Sequence, residues 1–185
     1  MSKIIVSVFG PDRPGILATV SRILFEEDCN IEDVTQTILQ TEFAGIFIAE
    51  LPEDKNLEWI EDRLNDALLP TELKATVKHL KAPHQPALYG RQTEPFVITT
   101  RGPDRKGLVA AITGVIASFG VNVTNLKGMF RGGDNPYDNM MIYEVDVPTD
   151  IDRQAFHQAL RQKAESLNLI LSLQHRTIFE TINRV

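Results

Sequence analysis

The hexapeptide GPDRPG at residues 10–15 returns as GPDRKG at residues 102–107, an offset of 92 positions. Applied without a gap to residues 10–31, the same offset aligns seven identical residues and several apolar exchanges. The identities extend beyond the hexapeptide to Ala18 with Ala110 and to Asn30 with Asn122. Chance rarely produces such agreement, so the chain contains a duplicated module, and the fold has to be read as a repeat.

Each copy predicts the order strand, helix, strand, strand, helix, strand. In the first copy, the β-branched and aromatic run at residues 3–9 predicts a strand. Apolar residues at helical spacing from Ile16 onward predict the first helix. Asp12 is a suitable N-cap for that helix, with Pro14 inside its first turn. The predicted strands of this copy are 3–9, 30–39, 43–51 and 72–80, and the helices are 16–28 and 57–68.

The second copy predicts the same order of elements. Its predicted strands are 96–101, 122–130, 140–147 and 169–179, and its helices are 106–119 and 152–167. A stretch with prolines and a glycine separates the copies, so we predict a first domain at 1–81, a linker at 82–93 and a second domain at 94–185. The Gly-rich insertion at 131–137 favours a long hairpin loop, with a mobile lid or a partner-binding loop as alternatives.

This order of elements predicts an α+β fold. With right-handed crossovers, each βαββαβ copy forms an antiparallel four-stranded sheet with both helices on one face, which is the ferredoxin-like arrangement. The other face and the sheet edges stay open, and open edges favour pairing with another copy. We therefore expect a homodimer, because closed two-fold assembly is the commonest way to cover such surfaces.

The composition is that of a globular cytosolic protein. The chain has 185 residues, 43% of them hydrophobic, and a formal net charge of −6. An acidic balance disfavours direct nucleic-acid binding, which depends on cationic side chains at phosphates. No apolar run approaches the roughly 20 residues of a membrane span, and no signal peptide is recognisable, so we expect a cytoplasmic location. The single cysteine, Cys29, excludes an intramolecular disulfide and is expected to be a buried structural thiol.

The loop between the first strand and the first helix carries the strongest candidate chemistry. Gly10 and Gly15 let the backbone turn sharply and approach a ligand, and the helix that follows presents free N–H groups that attract a carboxylate. Asp12 can accept an ammonium group, and Asn30 offers both a donor and an acceptor. Together these groups suit an amino acid. The alternative is that Asp12 is only an N-cap and Asn30 only a turn residue.

These motifs on a βαββαβ unit resemble the ACT domain, and the resemblance covers nearly the whole chain in two copies. Tandem pairs of this kind are most similar to the glycine cleavage system transcriptional repressor family. The resemblance implies amino-acid binding at domain–domain interfaces, with Lys106 replacing Pro14 as a departure in the second copy. The site residues that it implies are Gly10, Asp12, Gly15, Asn30 and Ile31 in the first copy, and Gly102, Asp104, Gly107, Asn122 and Val123 in the second.

The leading functional hypothesis is a non-catalytic regulatory protein that senses a small amino acid, glycine or similar. It would modulate a separate regulator protein, in transcriptional control of amino-acid metabolism. The alternative is a relative or regulatory subunit of an ACT-containing enzyme such as formyltetrahydrofolate deformylase, without the catalytic domain. None of the four histidines pairs with another at helical spacing, so no metal site and no cofactor is predicted. The acidic run at 26–28 is expected to be a solvated helix end.

Overall fold

The computed structural model describes residues 2–81, 91–130 and 139–182. The chain divides into two compact units, Met1–His84 (unit 1) and Gln85–Val185 (unit 2). Most of the predicted linker, at 82–90, lies outside the described residues, and so does the predicted loop at 131–137. The domain boundaries at 81 and 94 stay predictions.

Unit 1 has the predicted order of elements. Most observed boundaries lie within two residues of the predicted ones, because strand alternation and helical spacing in this copy are regular. A single 3-10 turn at Leu69–Thr71 follows the second helix and contains Pro70, as expected of a residue that ends helices. The elements are β1 (Ser2–Pro11), α1 (Ile16–Glu26), β2 (Asn30–Leu39), β3 (Glu42–Leu51), α2 (Leu57–Leu68) and β4 (Lys74–His79).

Unit 2 repeats this order and then adds a helix. The elements are β5 (Thr93–Gly102), α3 (Leu108–Ser118), β6 (Asn122–Phe130), β7 (Asn139–Pro148), α4 (Arg153–Ser166), β8 (Ile170–His175) and α5 (Arg176–Ile182). The prediction of a strand as far as residue 179 was wrong. Pairing of β8 with β5 ends where His175 lies opposite Phe96, and the next residue of β5 is Pro95, which has no N–H to extend a ladder.

Both sheets are antiparallel, and the predicted ferredoxin-like α+β fold is confirmed. The strand orders are β2-β3-β1-β4 in unit 1 and β6-β7-β5-β8 in unit 2. One face of each sheet packs against its two helices, so alternate residues such as Ile4, Val6 and Val8 are buried with Val20 and Leu24 of α1. Apolar side chains meeting between sheet and helices supply most of the stability of such a unit.

An ion-pair cluster around buried Glu27 joins the end of α1 to α2. The expectation of a solvated helix end at 26–28 was wrong for Glu27, whereas Glu26 and Asp28 are exposed. Glu27 is buried, and its carboxylate accepts hydrogen bonds from Lys55 Nζ at 2.9 Å, Trp59 Nε1 at 2.9 Å and Arg63 Nε at 3.1 Å. These donors, Lys55 foremost, lower the pKa of Glu27 to about 2. Neighbouring Cys29 is buried, as predicted, and burial raises the pKa of its thiol.

Candidate functional site

The loop from β1 to α1 enters the helix through a left-handed glycine. Gly15 is the N-cap of α1 with φ of 95°, and no side chain caps the helix. The prediction that Asp12 is the N-cap was therefore wrong, because the chain makes its last turn three residues later. The Asp12 backbone N–H instead donates to the Thr41 carbonyl at 2.7 Å, which ties the loop to the turn between β2 and β3.

The start of α1 differs from the starts of α2 and α4. Asn56 caps α2 by accepting a hydrogen bond from Trp59 N, and Asp152 caps α4 by accepting one from Ala155 N. In α1 there is no such cap and no acidic residue in the first turn. The space where a Gly15 Cβ would point is open to at least 4 Å. The first backbone N–H groups of α1 are therefore available to an anion.

A cleft of about 480 Å³ lies in front of this helix start. Its polar side chains are Asp12 and Arg13 from the loop and Gln36 from β2, and its apolar wall includes Leu17 and Phe43. The cleft therefore combines a carboxylate, a guanidinium, an amide and unpaired helix N–H groups above an apolar floor. Small zwitterionic molecules match this set of donors and acceptors.

The equivalent loop of unit 2 has the same backbone but almost no space. Gly107 caps α3 with φ of 89°, again without a side-chain cap. The cavity there, which Asp104 also lines, has a volume of only about 40 Å³. Gly128 stands where unit 1 has Gln36, and its strand partner Met141 stands where unit 1 has Gly45. The buried Met141 side chain lines this cavity, whereas in unit 1 the Phe43 ring lies against Gly45.

The first glycine of each loop packs against backbone. A Cβ on Gly10 would lie 2.9 Å from the Glu72 carbonyl oxygen and 3.0 Å from Leu73 Cα, and Gly10 has φ of 143°. A Cβ on Gly102 would lie 2.9 Å from the Asn168 carbonyl oxygen. Both glycines thus allow the last strand of their unit to approach the loop. The open space for a ligand lies in front of Gly15.

The strand-start residues lie at the other end of the sheet. Asn30 pairs with Glu50 on β3, whereas Gly10 pairs with Phe43 on the same strand. Seven residues of strand separate these two positions, about 23 Å. Asn30 Nδ2 donates weakly to Glu50 at 3.5 Å, and its neighbour Ile31 packs on the core. Unit 1 therefore does not bring Asn30 and Asp12 together.

Unit 2 separates the same pair of positions. Asn122 pairs with Asp146 of β7, whereas Gly102 pairs with Asn139 at the other end of that strand. Val123 packs on the core of unit 2. A single unit thus places the helix start and the polar strand start at opposite ends of its sheet, and one ligand of amino-acid size cannot contact both.

The family model for the ACT domain matches residues 2–78 and again residues 94–174. The chain belongs to the ACT domain family. It consists of tandem ACT domains, since each match corresponds to one βαββαβ unit.

Relatives of known sequence match one domain at a time. A UPF0237 protein of Methanopyrus kandleri is 36% identical over 80 residues, covering 43% of this chain and 89% of the relative. A UPF0237 protein of Clostridium acetobutylicum is 47% identical over 49 residues, covering 26% of this chain and 55% of the relative. The Methanopyrus relative therefore corresponds in size to a single ACT domain.

Two solved structures match nearly the full chain. An unknown protein from Galdieria sulphuraria has a TM-score of 0.75 and 25% identity, covering 94% of this chain and 98% of that protein. A protein provisionally described as a glycine cleavage system transcriptional repressor has a TM-score of 0.67 and 19% identity, covering 94% and 96%. The second likeness concerns the fold of the tandem ACT pair.

Seven residues that line the cleft of the first ACT domain were not among the predicted site residues: Arg13, Pro14, Ile16, Leu17, Ala18, Gln36 and Phe43. A comparison of the two copies could have found Gln36, because it aligns with Gly128 across the offset of 92. A larger cavity, about 710 Å³, lies at the opposite end of this domain near Leu51 and His79, away from the predicted loop. Among the described residues, no group of three or more His, Cys, Asp or Glu could hold a metal.

Membrane insertion through a helix finds no support in the described ranges. No helix there has both the length and the apolar character needed to cross a bilayer.

Proposed function

We propose that this tandem ACT protein is regulatory and binds one small amino acid, glycine or similar, in the cleft of unit 1. The observation that carries this proposal is that the uncapped start of α1 and the Asp12 side chain line one open cleft. The N–H groups of the helix start suit a carboxylate, and the Asp12 carboxylate suits an ammonium group. An α-amino acid carries both charges within a few ångströms.

The walls of the cleft favour a small ligand side chain. Leu17 and Phe43 offer apolar contact, and Gln36 can accept or donate one hydrogen bond at the sheet side. Arg13 adds a cationic group for the ligand carboxylate beside the helix N–H groups. Gly15 has open space in front of it, which allows a carboxylate to approach the backbone closely.

Unit 2 is the weaker candidate for the same ligand. Its loop has Gly102, Asp104 and Gly107 at matching positions, but the cavity there is about 40 Å³, against about 480 Å³ for the cleft of unit 1. We therefore propose one amino acid per chain. In this proposal Asn30 with Ile31, or Asn122 with Val123, does not contact a ligand held at the helix start of its own unit.

The regulatory part of the proposal is that ligand occupancy changes contact with a separate regulator protein. The matched family is a domain family, and the comparisons indicate no catalytic family for this chain. We propose that the protein acts in the cytoplasm on the transcriptional control of amino-acid metabolism. The formal net charge of −6 favours a protein partner over direct contact with nucleic acid.

Asp12→Asn is expected to weaken amino-acid binding about five- to tenfold, because the ligand ammonium then donates to a neutral amide oxygen (about 0.5–1.5 kcal/mol) in place of a carboxylate (roughly 1.5–3 kcal/mol). The ligand is first identified by thermal shift against the twenty amino acids, where a concentration of 100 times the Kd stabilises the fold by about 2.7 kcal/mol. Titration calorimetry then measures affinity and stoichiometry. Because Asp12 does not cap α1, this variant should unfold like the wild type.

Asp104→Asn is the matched control, since Asp104 occupies the same loop position in unit 2. We expect its affinity and its stoichiometry of one per chain to equal those of the wild type. If no amino acid stabilises the protein, the proposed function is wrong. If Asp104→Asn weakens binding and Asp12→Asn does not, the ligand lies in unit 2.

A further inference from the structure

The open face of the unit 1 sheet is apolar at its centre. Burial alternates along β1 and β3, so the residues between the core positions face away from the helices. On this face Phe9 is 53% exposed and Ile46 is 47% exposed, and Ile5 and Ile48 are partly exposed beside them. A contiguous apolar patch of this kind on a soluble protein marks an interaction surface.

The corresponding face of unit 2 is covered by its own chain. Val97, which aligns with Ile5 across the repeat, is only 2% exposed although it points away from α3 and α4. Helix α5 contacts β5 there, and Arg176 forms an ion pair with Glu144 at 3.3 Å. In unit 1 the described residues after β4, Leu80 and Lys81, form no such helix. The apolar face of unit 1 is therefore the one that needs a partner.

Strand register arranges the open face of unit 1 in three rows that run across β2, β3, β1 and β4 in that order. Residues in one row lie directly opposite each other on neighbouring strands and share a face. The rows are Asp33, Ile48, Ile5 and Lys78; then Thr35, Ile46, Ser7 and Thr76; then Thr37, Ala44, Phe9 and Lys74.

We propose that a second copy of this chain docks on this face, related by a two-fold axis parallel to the strands. Such an axis reverses the order of the strands, so β1 of one copy lies over β3 of the other. Each row then lies opposite the same row of the other copy. The side chains are then complementary in size. Phe9 faces Ala44, Ile46 faces Ser7, and Ile5 faces Ile48, each contact occurring twice by symmetry. Aligned packing of two sheets at about 10 Å accommodates these contacts.

The charges at the two edges of this face also favour a second copy of the chain and a two-fold axis parallel to the strands. Asp33 on β2 and Lys78 on β4 end the same row, so each would meet its opposite in the other copy. Among the described residues neither side chain takes part in an ion pair; Asp33 only accepts a hydrogen bond from Val34 N. An axis perpendicular to the strands would place Lys78 against the lysines of the partner, which like-charge repulsion disfavours.

A charge exchange tests this interface with the full chain. Sedimentation equilibrium across the micromolar range should give twice the chain mass for the wild type. Asp33→Lys and Lys78→Glu should each weaken dimerisation about tenfold or more, since each replaces two attractive contacts by two repulsive ones. The double variant should recover most of the wild-type constant, because it restores opposite charges with their positions exchanged. Circular dichroism should show all three variants folded.

The matched controls carry the same charge changes on α4. Lys163→Glu and Glu165→Lys lie on an exposed helix surface of unit 2 and should leave the dimerisation constant unchanged. A monomeric wild type would overturn the proposal, and so would a dimer that ignores the substitutions at Asp33 and Lys78. Single variants that weaken the dimer without recovery in the double variant would equally exclude this axis.

Discussion

Glu27→Ala is expected to lower the free energy of unfolding by about 3 kcal/mol, one of the two largest effects of a single substitution that we predict. The Glu27 side chain is 7% exposed and is the common partner of Lys55 and Arg63. Removing one member of a buried pair leaves its partners uncompensated, which costs roughly 3–5 kcal/mol in fully buried cases. Lys55 and Arg63 are 27% and 41% exposed, so water compensates them in part and the lower end applies.

The contribution of Glu27 also depends on pH in a defined direction. The hydrogen bonds from Lys55, Trp59 and Arg63 lower the pKa of Glu27 in the folded protein to about 2, well below its ordinary value of 4.5. A carboxyl with a lowered folded pKa stabilises the protein above the unfolded pKa, and this contribution is lost as pH falls toward the folded pKa. Stability should therefore decrease between about pH 5 and pH 2, and Glu27→Gln should show a smaller decrease over the same range.

Urea unfolding at neutral pH and at several acidic pH values measures both expectations. Glu26→Ala is the matched control, because the neighbouring Glu26 is 40% exposed and forms ion pairs with Arg22 and Arg63 at the surface. Exposed pairs contribute about 0–1 kcal/mol. Equal destabilisation by the two substitutions would contradict the role given to the buried cluster.

Gly10→Ala is expected to destabilise the protein by about 3 kcal/mol or more. The new Cβ would meet the Glu72 carbonyl oxygen at 2.9 Å and Leu73 Cα at 3.0 Å, and these backbone atoms cannot move without displacing β4. Overpacking of this kind costs roughly 1–3 kcal/mol. The φ of 143° at Gly10 adds backbone strain of about 1–3 kcal/mol, since L-residues rarely adopt it.

Substitutions at two further glycines, measured in the same unfolding experiment, separate the cost of overpacking from the cost of backbone strain. Gly15→Ala meets nothing within 4 Å but retains φ of 95°, so it should cost only about 1 kcal/mol of backbone strain. Gly102→Ala meets Leu169 Cδ2 at 2.8 Å and the Asn168 carbonyl oxygen at 2.9 Å without a left-handed φ, so it should cost about 2 kcal/mol. If Gly10→Ala proves as mild as Gly15→Ala, the close approach of β4 is not what requires this glycine.

The same loop motif lies beside an open cleft in unit 1 and beside a small cavity in unit 2. The residues that differ at these two places come from other strands. The loop sequence GPDR-x-G is shared, and both copies give a left-handed glycine before an uncapped helix. The strand residues beside that loop differ between the units: Gln36 pairs with Gly45 in one, and Gly128 pairs with Met141 in the other. Those pairs become neighbours only through strand register.

Neighbouring sequence alone does not predict which residue of the acidic run Glu26, Glu27 and Asp28 is buried. The three residues look alike in the sequence, yet Glu27 is buried against Lys55, Trp59 and Arg63 of another helix region. No pattern near residue 27 reports those partners, which lie roughly thirty positions further along the chain. Burial of a charged residue is decided by such distant pairing.

The sequence by itself determined the duplication, the order of strands and helices, the ferredoxin-like ACT fold and the position of the loop before the first helix. Those features follow from local periodicity and from the turn chemistry of glycine and proline, which neighbouring residues carry. Only the tertiary structure decided that α5 replaces the end of a strand, that Gly10 packs against backbone atoms just before β4, and that Asn30 lies about 23 Å from Gly10 along the sheet. Each of these features depends on contacts between residues far apart in the chain. The size of the cleft in unit 1 also depends on such long-range contacts.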